Sequence, residues 1–386
     1  MVHDLPADGK RGDVDVAVIG AGLAGSTTAW AASRRGLSVV LFEQFAIGHH
    51  CGSSHGSARI FRRAYEDELY VRITGESMEL WRELEVDTGT QLLRTTGGID
   101  HGAERSLDLI VEHLSAAGVA HEVVGPAEAG QRWPGMHFET TVVFHPEAGV
   151  VDAAATVAAC VEAGRARGAV VEENTPVTGM IPRDGDVVVM ANDQYWSARH
   201  AVVAAGPWMA GLLRGRVPFP PVTVTQQQIF HFPRRDLSMA WPTFVHRGPM
   251  FVYGLQGGRD GGEHNAQKVA EYESGNVTTA ATRDGIVDPA ARARLVDYVT
   301  KWLPGLVPEP FNEATCLYTN TADEDFVLDR CGRVIVCSAC SGHGAKFAPW
   351  LGTQAAKLAA GDGAVETRFR LDRPGLFPAD EEVSRT

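Results

Sequence analysis

Residues Val14 to Glu43 read VDVAVIGAGLAGSTTAWAASRRGLSVVLFE. The opening VDVAVI is apolar and β-branched, the pattern of a strand buried in a parallel sheet. Gly20-Ala21-Gly22-Leu23-Ala24-Gly25 comes next, then a helical stretch from Ser26 to about Arg35. Gly36 interrupts it, and a second strand, Leu37 to Phe42, ends in Glu43. This is a dinucleotide fingerprint in its full strand–turn–helix–strand setting. Gly20 permits the tight turn, Gly22 lets a pyrophosphate approach the backbone, and Gly25 lets helix and strand pack closely. Glu43 stands where a carboxylate accepts from ribose hydroxyls. NAD and FAD share the fingerprint, so it implies a Rossmann-type α/β domain without choosing the cofactor.

A second informative stretch lies near the other end: ATCLYTNTADEDFVLDRCGRVIVCSACSGHGAKF, Ala314 to Phe347. It joins Cys316 on a polar loop, an acidic turn, a short apolar strand and a Gly-rich loop carrying His343 and Lys346. An apolar helical stretch, Ala348 to Ala360, comes directly after it. A helix start preceded by glycine and a cation suits negative charge.

The chain has 386 residues, enough for two domains with ample cores. Its net charge of −13 argues against nucleic acid or an anionic membrane as a partner. No segment approaches the roughly 20 apolar residues of a membrane span. No signal peptide is evident, and the polar leader Met1 to Asp13 reads as frayed, so a cytoplasmic protein is expected. The cysteines (Cys51, Cys160, Cys316, Cys331, Cys337 and Cys340) do not form a disulfide framework. Cys331, Cys337, Cys340 and His343 lack paired zinc-knuckle spacing, and no metal is expected.

Between the two landmarks, helical patterns run from Tyr70 to about Thr88, from Ala103 to Gly118, within Pro146–Gly168 and from Pro289 to Leu306. A strand from Ala201 to Ala205 enters Gly206-Pro207-Trp208 and then a helix, while Pro218 to about Asn276 is β-like. The nucleotide-binding parts are therefore separated in sequence. The expected fold is α/β (α+β overall), with a discontinuous Rossmann-type domain (1–80, 150–217 and 312–386) and an interleaved mixed-sheet substrate domain (81–149 and 218–311). A pocket is expected where the two meet.

Three segments together resemble the monomeric sarcosine oxidase and N-methyltryptophan oxidase family of flavin amine oxidases. They are the dinucleotide loop with Glu43, the segment GSSHGSARIFRRAY from Gly52 to Tyr65, and Ala314–Phe347. TTGGID and AAGPWM extend the similarity through the chain. The resemblance implies the glutathione-reductase-like fold of amino acid oxidases and FAD bound covalently through a thioether at Cys316. It places Gly20, Gly22, Leu23, Ala24, Gly25, Glu43, Gln44, Ser54, His55, Arg59, Ala205, Gly206, Trp208, Cys316, Gly342, His343, Gly344 and Lys346 around the cofactor. Arg62 and Lys346 match the cations that grip a substrate carboxylate, a role suited to the planar guanidinium fork. Lys268, in AQKVAEY, matches a lysine near flavin N5 that helps oxygen react. Tyr253 matches a pocket tyrosine, and His55 and Arg59 match active-site positions. Arg63 has no matched role and reads as a surface charge.

The implied reaction is oxidation of a secondary amino acid carrying a carboxylate. Hydride passes to the flavin, an imine is left, and O2 is reduced to hydrogen peroxide. Such proteins are expected as monomers or weak oligomers. This chain departs from the sarcosine oxidases at Tyr272, where they carry a histidine. It also departs at Cys340 and Ala345, where aromatic residues are more familiar, and in a lengthened Gly-rich connection between Tyr253 and Lys268. A substrate bulkier than sarcosine, N-methyl or cyclic, is therefore expected. Rivals are desaturation of a cyclic imino acid, an NADPH-dependent flavin hydroxylase, and a flavin carrier without turnover.

Overall fold

The computed structural model describes residues 9–377 except Met239 and Cys340, and omits the side chains of Glu263 and His264. The chain divides into two compact units, each assembled from separated segments. The first comprises residues 1–55, 154–224 and 317–386, and the second residues 56–153 and 225–316.

The first unit is built on an eight-stranded sheet. At its centre the strand Lys10–Ile19 lies parallel to Val39–Phe42 on one side and to Gln194–Val203 on the other. Val334–Ser338 continues the parallel part beyond Gln194–Val203. All four residues of Val39–Phe42 are buried, which explains the uninterrupted apolar run. Ala17, Ile19, Phe42, Val203 and Val336 belong to one buried cluster. The residues expected to fray enter the sheet: Lys10, Gly12 and Asp13 pair with Tyr195, Trp196 and Ser197, and only Met1–Asp8 fall outside the described residues. The helix Leu23–Arg34 packs on the helix Ala348–Ala360, and Thr27 Oγ1 donates to Ala348 O at 2.8 Å.

The second unit carries a largely antiparallel sheet of nine strands among the described residues. Its middle runs Thr223–Phe232, Gln267–Glu271, Phe251–Gln256, Thr243–Arg247, Gly98–His101. Phe230, Phe232, Phe244 and Val252 form its core with Leu295 and Val299 of the helix Pro289–Trp302. Asp288 caps that helix through Ala290 N, and Pro289 supplies a preset first turn. A smaller sheet joins Arg59–Phe61, Gly149–Val151 and Leu93–Thr95. Among the described residues no helix is long and apolar enough to cross a membrane.

Candidate functional site

In the first unit, the turn after Lys10–Ile19 has the shape the glycines demand. Gly20 adopts φ +98°, and a Cβ on Gly25 would sit 1.8 Å from Gly20 O. The turn ends at the start of the helix Leu23–Arg34, whose Leu23 N–H donates to Ser54 Oγ at 2.9 Å. A Cβ on Gly22 would stand 2.9 Å from the same oxygen, so the backbone there stays open only as glycine. Glu43 is buried, and its carboxylate accepts from Ala21 N at 2.9 Å and Phe45 N at 3.0 Å. Burial pushes its pKa up, but hydrogen bonds from His49, Ala21 and Phe45 outweigh it, and the group stays below the ordinary carboxylate range. An ionised carboxylate has lone pairs beyond these two bonds to offer ribose hydroxyls. Glycine backbone, helix N-terminus and buried carboxylate together fit the adenosine and pyrophosphate of FAD.

Of the remaining cofactor-side candidates of this unit, Ala205 lies beside the same loop. Ala204 O would lie 2.7 Å from a Cβ on Gly20, and the 3-10 turn Gly206–Trp208 comes after Ala205. Trp208 meets Phe45 edge-on at 5.8 Å, next to Gln44 in sequence. His55 is buried and stacks on His50 at 5.1 Å. Ser53 Oγ donates to Leu317 O at 2.5 Å. The acidic turn is followed by a hairpin of Val327–Cys331 and Val334–Ser338, which leads to the Gly-rich loop. Beyond it, Gly342 has φ +72° and a Cβ there would strike the Tyr318 ring at 2.3 Å. His343 stacks on Phe326 at 4.8 Å. Lys346 is 2% exposed and its Nζ donates to His343 O at 2.8 Å. Gly344–Phe347 is a 3-10 turn leading into the helix Ala348–Ala360. Ala345 lies on this turn, whereas Cys340 lies outside the described residues.

The second unit holds a different cluster, around Lys268. This lysine is 3% exposed, and its Nζ donates to Ala58 O at 2.9 Å. Arg59 Nη1 donates to the same carbonyl at 2.9 Å. Burial and the neighbouring Arg59 cation push the Lys268 ammonium down to about 7, against the pull of Cys316 and Asp260. Lysine is therefore poised to change charge near neutral pH. Cys316 is itself buried, which pushes its thiol up, while Arg59, Lys268 and Arg283 draw it down. Opposite Lys268 in the sheet stands His231, held down to about 4 by burial and by the lysine charge.

Arg59 opens the short strand Arg59–Phe61 and Arg62 comes just after it, and the two guanidiniums have different hydrogen-bond acceptors, Ala58 O and Ala64 O. The Arg62 guanidinium lies 4.2 Å from the centre of the Tyr65 ring and donates to Ala64 O. Burial drives the Tyr65 phenol up to about 12 in spite of Arg62 and Arg105. Arg63, expected as a surface charge, is mostly buried and bonds Glu147 at 2.7 Å. Tyr253 packs on Ala58, Val150 and Leu255, and Tyr272 packs on Phe251 at 4.8 Å. Sequence reading missed His231, Ser57 and Asp260. The one available signal was the Gly-rich connection between Tyr253 and Lys268 in which Asp260 sits. Among the described residues no group of three or more His, Cys, Asp or Glu could hold a metal ion.

Residues 15–358 match the family model described as FAD dependent oxidoreductase. The chain is 34% identical over 366 residues to monomeric sarcosine oxidase of Streptomyces avermitilis, covering 89% of this chain and 93% of the relative. It is 31% identical over 363 residues to N-methyl-L-tryptophan oxidase of Yersinia pestis, covering 90% and 95%. The solved open form of NikD, described as an unusual amino acid oxidase essential for nikkomycin biosynthesis, superimposes with a TM-score of 0.81 at 22% identity, over 93% of this chain and 97% of that one. At that identity the likeness speaks for the fold. The motif resemblance, the nucleotide cradle and the match over nearly the whole chain agree: this protein belongs to the FAD-dependent oxidoreductase family.

Proposed function

We propose that this protein oxidises a secondary amino acid, N-methyl or cyclic and bulkier than sarcosine, using O2 and releasing hydrogen peroxide. The observation that carries the reading is Lys268, a buried lysine with its charge poised near neutrality beside Arg59 and Cys316. The relatives that are sarcosine and N-methyltryptophan oxidases support the substrate class. Bound FAD supplies the acceptor for the hydride and the route by which the electrons reach oxygen.

The chain's own residues have distinct roles in this reading. Gly20, Gly22, Leu23, Ala24 and Gly25 cradle the pyrophosphate, and Glu43 holds ribose. Gln44, Ser54, His55, Ala205, Gly206, Trp208, Gly342, His343 and Gly344 line the remainder of the cofactor site. Residues 1–55, 154–224 and 317–386 then form the FAD-binding domain. Arg62 and Lys346 receive the substrate carboxylate, and Tyr253 and Tyr272 shape its binding site. The amine would bind as the free base, so loss of hydride from the adjacent carbon would leave an iminium ion, which sheds its N–H proton to water to give the imine; breaking the C–H bond needs no side-chain general base. Protonated Lys268 offers positive charge where oxygen is reduced, an electrostatic contribution that needs no rearrangement at the moment of reaction. Cys316 Sγ would tether the flavin as a thioether; burial pushes its thiol up, and Arg59, Lys268 and Arg283 work against that burial toward the thiolate such a bond requires.

Mixing the holoenzyme anaerobically with a panel of N-methyl and cyclic amino acids is expected to bleach the flavin, and air is expected to restore it with one peroxide per turnover. Failure of every amine to bleach it would falsify the oxidase reading. Aldehyde in the product marks demethylation, and an unsaturated ring marks desaturation. After acid precipitation the yellow colour is expected in the pellet for the wild type and in the supernatant for Cys316→Ala.

A further inference from the structure

The lengthened connection between Phe251–Gln256 and Gln267–Glu271 is not slack. Its 3-10 segment, Gly258–His264, is fastened at several points within the second unit. Asp260 Oδ2 accepts from Ser57 N at 2.6 Å, and Ser57 Oγ accepts from Asp260 N at 2.9 Å. Two residues about two hundred positions apart thus satisfy each other's backbone donors through their side chains. Ser57 Oγ also donates to Gly257 O at 3.2 Å. Gly258, at φ +62°, lies so close to Ser57 that a Cβ would stand 2.6 Å from its carbonyl oxygen. Asn312 Nδ2 reaches Asp260 O at 3.4 Å, and Arg259 forms an ion pair with Asp152.

The fastened segment fixes the backbone immediately ahead of the lysine's acceptor. The carbonyl after Ser57, Ala58 O, accepts from both Lys268 Nζ and Arg59 Nη1. One neutral oxygen thereby holds two cations, and that costs energy unless an anion stands near. Asp260 is the carboxylate in that position: its Oδ2 and Arg59 Nη1 would lie 3.0 and 3.4 Å from a Cβ on Gly56. The groups that bear on the Lys268 charge come from every neighbouring element. They are Arg59 on the segment after Gly56, His231 on the paired strand, Cys316 on the strand Asn312–Asn320, and Asp260 on the connection.

We propose that Asp260 is a positioning residue for Lys268, clamping the Gly56–Ser57 backbone so that Ala58 O holds the lysine, and countering the joint charge of Lys268 and Arg59. The proposal rests on Lys268 being the cation that serves oxygen. The lengthened connection then serves to deliver a carboxylate to a two-cation cluster.

The chain has five lysines, Lys10, Lys268, Lys301, Lys346 and Lys357, so ε-13C-lysine labelling of the holoenzyme gives few signals, and Lys268→Met assigns the one required. Asp260→Asn preserves shape and removes the charge, whereas Asp260→Ala removes the clamp as well. In Asp260→Asn the Lys268 titration is expected to move down by about one pH unit, with about tenfold slower reaction of the reduced enzyme with O2 at about pH 8. Asp260→Ala is expected to move both further, and Asp260→Glu to recover part of each. Unchanged titration and oxygen rate in both Asp260→Asn and Asp260→Ala would overturn the proposal. If Lys268→Met reacts with O2 as fast as the wild type, the oxygen-side reading of Lys268 fails instead, and the effect of Asp260 on the titration is judged on the NMR alone.

Discussion

Gly25 leaves no space for a side chain. A methyl group there would lie 1.8 Å from Gly20 O, and that oxygen belongs to the turn that must fold back for the pyrophosphate. Gly25→Ala is expected to lose FAD on gel filtration and to lower stability by about 2 kcal/mol or more, since neither backbone can retreat. Arg62 is a residue-scale test of substrate binding: Arg62→Lys keeps the charge and loses the fork, so KM for the amino acid is expected to rise at least about tenfold with smaller change in kcat. A KM unchanged by this substitution would remove Arg62 from the carboxylate site. At this scale the sequence was legible where chemistry depends on local backbone. Gly20, Gly25 and Glu43 stand as the fingerprint demands, because a strand-to-helix turn is decided by neighbours in the chain. Lys268 was not legible in the same way. Its burial, and the presence of His231 opposite it, depend on strand register between segments well separated in sequence.

At the scale of elements, the segment GSSHGSARIFRRAY shows where reading stops. The short strand Arg59–Phe61 forms by pairing with Gly149–Val151, and the Arg59 and Arg62 side chains donate to different carbonyls, Ala58 O and Ala64 O. The turn after Gly98–His101 is likewise fixed by distant partners. Arg105 donates to Asp100 Oδ1 at 2.7 and 2.9 Å and to Glu66 Oε1 at 2.8 Å, joining that strand to the approach to the helix Glu68–Thr88. The Asp100 side chain is 1% exposed. Arg105→Ala strands this carboxylate, and urea unfolding is expected to show a loss of about 3–5 kcal/mol. Asp100→Asn in the same background is expected to recover part of it, because a neutral amide costs less to bury than an unpaired charge.

At the scale of the molecule, four buried histidines link stability to pH. His101 is pushed down to about 3, mainly by burial and also by His246, and His145, His231 and His246 to about 4, each chiefly by burial. Unfolded histidine titrates near about 6.5, so between that pH and about 4 the unfolded chain binds more protons than the folded one. Their contribution to stability is therefore full above about pH 6.5 and falls as pH drops, by on the order of several kcal/mol between about pH 7 and about pH 5. Denaturant midpoints measured at those two pH values test this, and a flat profile would show that the histidines find proton-accepting partners on protonation. Both landmarks at the ends of the chain fall in the first compact unit, whose limits are set by contacts and leave little trace in composition.

The helix Leu23–Arg34 rests on the helix Ala348–Ala360, and the strand Gln194–Val203 pairs with Val334–Ser338. The nucleotide loop is thus made well before the segments that support it. During synthesis the buried side of that first helix waits uncovered for more than three hundred residues of elongation. Cofactor capture is consequently expected to wait until the helix Ala348–Ala360 has been made and can close over the helix Leu23–Arg34. A stop codon placed just before Ala348 would leave a nascent protein that has its whole fingerprint and still cannot keep its flavin.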